Sequence, residues 1–137
     1  MLMKWPVIAA ALIAAILLVG AVALASMRGG PGAPVGRVSV PAPIDQVEIV
    51  VRESAPPQVA VKIMAGLPSG CAQRQSHAVS RNGDIFTVTV LNSMPQGDPA
   101  CTMIYGTYSL SIDLVGELRP GVTYTVQVND TVRTFRL

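Results

Sequence analysis

The chain is 137 residues long, half of it hydrophobic, with a formal net charge of +2, two cysteines and one histidine. That length holds one domain and little else. The basic excess sits in Lys4, Arg28 and Arg37, and from Ile44 onward eight carboxylates outnumber seven Lys and Arg side chains, which argues against the cationic folded face that a nucleic-acid partner needs.

The first element is an apolar helix over residues 1–25. "WPVIAAALIAAILLVGAVALAS" carries no charge from Trp5 to Ser26. As a helix its Val7–Ala25 stretch spans about 28 Å, close to the hydrocarbon core of a bilayer. Lys4 and Trp5 stand where an interfacial anchor would. Two expectations stay open: an uncleaved anchor crossing the membrane through residues 5–25, or a signal peptide cut after the small-x-small sequence Ala23-Leu24-Ala25. No cysteine follows the run, so a lipid-modified cysteine is excluded. The flanking charges do not orient the segment.

Residues 26–43, "SMRGGPGAPVGRVSVPAP", are rich in Gly and Pro, with only a brief alternation at Val38 and Val40. They predict an extended linker.

From residue 44 to 137 the apolar pattern has period two. Val47, Ile49 and Val51 alternate with polar residues, as do Val59, Val61 and Ile63; Phe86, Val88 and Val90; Leu110, Ile112 and Leu114; and Tyr124, Val126 and Val128. Pro56-Pro57, Asn82-Gly83 and Asn129-Asp130 mark turns. Seven strands follow, near residues 46–52, 58–65, 73–81, 84–91, 107–114, 122–128 and 131–137. One wet and one dry face on each predicts an all-β, antiparallel sandwich.

"LRPGVTYTVQV", Leu118 to Val128, resembles the corner before the penultimate strand of fibronectin type III domains. The resemblance implies that Leu118 is a buried corner residue, that Pro120 and Gly121 make the turn, and that the Tyr124 hydroxyl bonds back to the corner backbone, as in immunoglobulin-like sandwiches generally. The wider pattern of "GLPSGC", "RNGDIFTVTV" and "LRPGVTYTVQVND" is similar to small bacterial extracytoplasmic domains of no known activity. The chain departs from the fibronectin pattern in having no tryptophan after Trp5 and in having two cysteines.

Those cysteines, Cys71 and Cys101, find no partners for chemistry. A catalytic thiol needs a base, and His77, the one histidine, would lie about 15–20 Å away along an extended strand. Zinc needs about four ligands, and a blue-copper site needs two histidines. In fibronectin topology the loops holding Cys71 and Cys101 share one pole of the sandwich, which implies a disulfide worth roughly 3–4 kcal/mol from chain entropy alone. The alternative is two buried free thiols. A disulfide implies an extracytoplasmic domain, periplasmic or at the cell surface.

No phosphate loop, paired-acid motif or serine elbow appears, and no cofactor or metal is expected. His77 reads as a solvated strand residue. The sequon Asn129-Asp130-Thr131 lies on a tight turn and reads as chance. Met94, Pro95, Met103 and Tyr105 form a candidate contact loop. The expectation is a non-catalytic, membrane-anchored accessory or adhesion-type subunit that meets a protein partner, an integral membrane complex among the candidates. By fibronectin topology the linker would enter at the disulfide pole and turn loop 92–100 toward the membrane. The alternative is a secreted binding or protease-inhibitor-like module presenting loop 92–100.

Overall fold

The computed structural model describes residues 36–97 and 99–137. The apolar run and its expected helix, and residues 26–35 of the linker, lie outside them. Among the described residues no helix is long and apolar enough to cross a membrane.

Gly36 to Leu137 form one compact unit of eight strands: β1 (Arg37–Pro41), β2 (Ile44–Arg52), β3 (Gln58–Leu67), β4 (Gln73–Asn82), β5 (Ile85–Pro95), β6 (Gly106–Leu114), β7 (Thr123–Val128) and β8 (Thr131–Arg136). They make a sandwich of two unequal sheets. The narrow sheet has the order β2-β3-β6. In the wide sheet β4 pairs one edge of β5 along nearly its whole length. The other edge of β5 is shared, with β7 on Ile85–Val88 and β1 on Leu91–Pro95. β8 closes that sheet against β7.

The core is the alternation read from the sequence. Val59, Val61 and Ile63 of β3 and Leu110, Ile112 and Leu114 of β6 meet Phe86, Val88 and Val90 of β5 and Tyr124, Val126 and Val128 of β7, all of them buried. Burying each such side chain stabilises the fold by about 1.5–3 kcal/mol.

Three expectations need correction. The domain begins at Gly36 rather than Ile44, and there are eight strands rather than seven, because the linker's Val38 and Val40 are strand alternation. They lie opposite Met94 and Asn92 of β5. The sheets are not wholly antiparallel, since β5 and β7 run parallel. In immunoglobulin-type sandwiches the third strand sits beside the penultimate one. Here the third of the seven predicted strands, β4, is at the edge, and β5 takes the place beside β7. The physical reason is composition. β5 carries the apolar row Phe86, Val88, Val90, whereas every residue of β4, "QRQSHAVSRN", is exposed. The arm with an apolar row takes the centre.

Sharing one edge of β5 between two strands leaves a gap at Val90, and Asn129 fills it. Its Oδ1 accepts from the Val90 N–H at 2.9 Å. Its Nδ2 donates to the carbonyls of Ala42 at 2.8 Å and Val90 at 3.0 Å. Its backbone is left-handed, φ 49°, a conformation asparagine tolerates in turns. The side-chain nitrogen of the sequon is thus committed to two carbonyls.

Candidate contact site at the disulfide pole

The β3–β4 connection and the β5–β6 connection meet at one end of the sandwich. The Cys71–Cys101 disulfide joins them, with Cα atoms 5.5 Å apart. The Gly70 N–H donates to the Thr102 carbonyl at 2.9 Å. The chain enters at this same pole. The Gln96 N–H donates to the Gly36 carbonyl at 2.6 Å, and Arg37 donates to the carbonyls of Cys71 at 2.8 Å and Ser93 at 2.7 Å.

Beneath the disulfide the sheets are tied by a polar bridge. Asn92 is fully buried. Its Nδ2 donates to the Gly66 carbonyl at 2.8 Å and its Oδ1 accepts from the Tyr108 hydroxyl at 2.7 Å. Both polar atoms of its side chain are partnered, as burial requires. Burial holds the Tyr108 phenol above its usual range, an effect the nearby Arg74 guanidinium opposes.

On this braced base stands an apolar tip. Met103, Ile104 and Tyr105 are 87%, 72% and 50% exposed. Tyr105 is turned back over Gly66, where a Cβ would have no room, and its hydroxyl donates to Asp45 Oδ1 at 2.8 Å. That bond to a carboxylate raises the phenol's pKa, with desolvation and the Asp45 charge adding to it.

Of the four residues predicted as a contact loop, the structure brings Met103 and Tyr105 to the tip and removes the other two. Met94 and Pro95 are half-buried in β5, opposite Val38 and Arg37. The strand that fixes them was hidden in the linker. Residues 92–95 of the expected loop 92–100 are therefore sheet, and the β5–β6 connection begins at Gln96. Sequence reasoning missed Ile104. The signal was there, as three successive large apolar residues without periodicity between Cys101 and Gly106. Asn92 and Arg37 were also missed, since nothing in a sequence says which polar strand residue faces inward. His77 is exposed on β4. No group of three His, Cys, Asp or Glu side chains among the described residues could hold a metal.

At the opposite pole Tyr124 is fully buried, and its hydroxyl accepts from the Arg119 N–H at 2.8 Å. Its ring stacks on Phe135 at 5.3 Å and lies 6.1 Å from Phe86. Leu118 packs half-buried on the core. Pro120 is exposed, and Gly121 takes φ 79° to make the turn.

No solved structure matches the chain. It is 36% identical over 94 residues to an uncharacterized 10.2 kDa protein in the HgiCIIM 5′ region of Herpetosiphon aurantiacus, an alignment covering 69% of this chain and 98% of that protein. It is 32% identical over 84 residues to uncharacterized 10.2 kDa proteins in the HgiBIM and HgiEIM 5′ regions of the same organism, covering 61% of this chain and all of each relative. The model of the ORF11 beta-sandwich domain matches residues 61–137, the stretch from mid-β3 to β8 that holds both cysteines, the tip and the tyrosine corner. The chain belongs to the ORF11 beta-sandwich domain family.

Proposed function

We propose that the protein is a non-catalytic contact module of an extracytoplasmic compartment, tethered through its apolar N-terminal segment, and that Met103-Ile104-Tyr105 meets a protein partner at the membrane. One observation carries this: three successive large apolar side chains stand in solvent on a loop braced by a disulfide. Exposing a contiguous apolar patch costs solubility and marks an interaction surface. Bracing it removes the ordering cost that a free loop would meet on binding. The disulfide supports an oxidising location. β1 starts at this pole, so an integral partner of the same membrane is within the reach of a tethered tip. The kinship to immunoglobulin-like sandwiches rests on the tyrosine corner alone.

The test is photo-crosslinking in cells from benzoylphenylalanine placed at Ile104, with Val115 as control. Val115 is 83% exposed and follows the far end of β6. A protein adduct from Ile104 alone is expected. Adducts with lipid only, or equal yields from both positions, overturn the proposal.

A further inference from the structure

The two sheets do not match in width, and the mismatch leaves one flank of the sandwich open. β2 lies against β8, and β6 lies under β5, where the Tyr108 hydroxyl reaches Asn92. β4 therefore projects one strand width, about 4.8 Å, beyond the edge of the narrow sheet. Arg74, His77, Val79 and Arg81 of β4 sit opposite Asn92, Val90, Val88 and Phe86, so they share the inward face of β5. Yet all four are exposed, because no strand lies beneath them. Arg74 reaches down to the Tyr108 ring and Arg81 to the Glu117 carbonyl, closing the two ends of the trough.

The two free edges on this flank differ. β4 is guarded against pairing by two arginines and by a bulge between Arg74 and Ser76, devices that natural edge strands use. β6, "GTYSLSIDL", has no proline, lysine or bulge. Its one charge, Asp113, is paired with Arg52 at 3.6 Å. Nine residues of unguarded edge stand beside an empty column.

We propose that the β6 edge accepts an extended acidic segment of a partner protein as a fourth strand of the narrow sheet, seated under β4. Main-chain bonds to β6 would hold it, and pockets beside alternate side chains would select it. Its acidic character follows from charge. β4, the strand above the trough, carries Arg74, Arg81 and His77 and no carboxylate, and among the described residues neither Arg74 nor Arg81 pairs with an acid. A second copy of this chain does not fit. Antiparallel pairing of two β6 edges needs a two-fold axis normal to the sheet, which would drive each overhanging β4 into the other copy's wide sheet. Residues 1–35 carry no carboxylate and lack the complementary charge. This contact uses neither the apolar tip nor the tether, so the crosslinking result at Ile104 does not decide it.

The test uses the full-length protein in mild detergent and two labelled eleven-residue peptides, one alternating valine with glutamate and threonine, the other with lysine for glutamate. Binding is read by fluorescence anisotropy, and the site by amide hydrogen exchange. The acidic peptide is expected to bind at least tenfold more tightly, to weaken with salt, and to slow exchange across residues 106–114. Arg74→Glu should lower its affinity at least fivefold and raise that of the lysine peptide. The salt dependence and exchange map on the unaltered chain need no variant to fold. Absence of binding at millimolar peptide, equal binding of both peptides, protection confined to the outer edge of β4, or a peptide-free dimer protected at β6 would each overturn the proposal.

Discussion

The two poles of this sandwich are fastened by different means. At one, a covalent bond, a buried amide and an arginine hold two connections and a strand that pairs only with the end of β5. At the other, three aromatic rings pack together, two of them under a guanidinium, and one phenol hydroxyl fixes the corner. Packing suffices there even for the eight-residue β6–β7 connection, Val115 to Val122, because the apolar rows themselves converge beneath it. Where β5 and β6 are joined by a ten-residue connection, Gln96 to Tyr105, no apolar row reaches. Order then comes from covalent and polar links rather than from apolar packing. The pole that packing does not hold is the one free to display apolar residues outward.

Truncation at the packed pole should cost most. Tyr124→Ala removes a fully buried ring in contact with Phe86 and Phe135, and a loss of about 3–5 kcal/mol is expected from chemical denaturation. Tyr124→Phe removes only the bond to Arg119 and should cost about 1 kcal/mol. If the two variants lose equally, the corner bond rather than the stack holds this pole. Next comes the disulfide. Replacing both cysteines with serine should cost roughly 3–4 kcal/mol, the chain-entropy value for a loop of this length, through the unfolded state. Amide exchange should then quicken across residues 96–105 and stay unchanged at 118–124. Faster exchange at both poles would show that the ends are coupled and would break the comparison.

The buried amide is the third rank. Asn92→Ala leaves the Gly66 carbonyl without its donor and the Tyr108 hydroxyl without its acceptor, at a cost of about 1–3 kcal/mol. Asn129→Ala is its counterpart in the middle of the wide sheet. It frees the Val90 amide at the gap between β1 and β7 and should cost about as much, with β1 amides exchanging faster. Melting that leaves β1 protected would mean that the pairing with Leu91–Pro95 alone secures the strand.

The pattern of what a single sequence disclosed follows the same division. Strands whose inner rows are apolar, β3, β5, β6 and β7, announce themselves by period two, and so does the tyrosine corner, which needs a fixed spacing. β1 did not, because five residues ending in proline amid Gly and Pro look like linker until a partner strand is known. The order of β4 and β5 was legible in retrospect. β4 has only Ala78 and Val79 as apolar residues, which suits an edge, but immunoglobulin-type order sets the third strand beside the penultimate one. The cysteine pair was legible by elimination and topology. The residues that organise its pole, Arg37 and Asn92, were not. Polar residues acquire structural roles from their neighbours, and a lone chain gives no neighbours. Ile104 differs, since its run with Met103 and Tyr105 was visible in the sequence.

The smallest effect tests that pole's electrostatics. Burial raises the Tyr108 phenol above its ordinary value near 10, while Arg74 pulls it down. The fold thus favours the neutral phenol. The stabilisation is whole below the unfolded value near 10 and fades as pH rises through the higher folded value. The advantage of the native chain over Tyr108→Phe should therefore be constant through neutral pH and shrink only in alkali. Phenolate absorbance gives the finer reading. Removing Arg74 with Arg74→Ala takes away the one opposing influence, so Tyr108 should titrate still higher. An unchanged or lower titration would mean that the guanidinium seen 5.8 Å from the Tyr108 ring does not act on the phenol in solution, and that this pole is held by burial and covalency without help from charge.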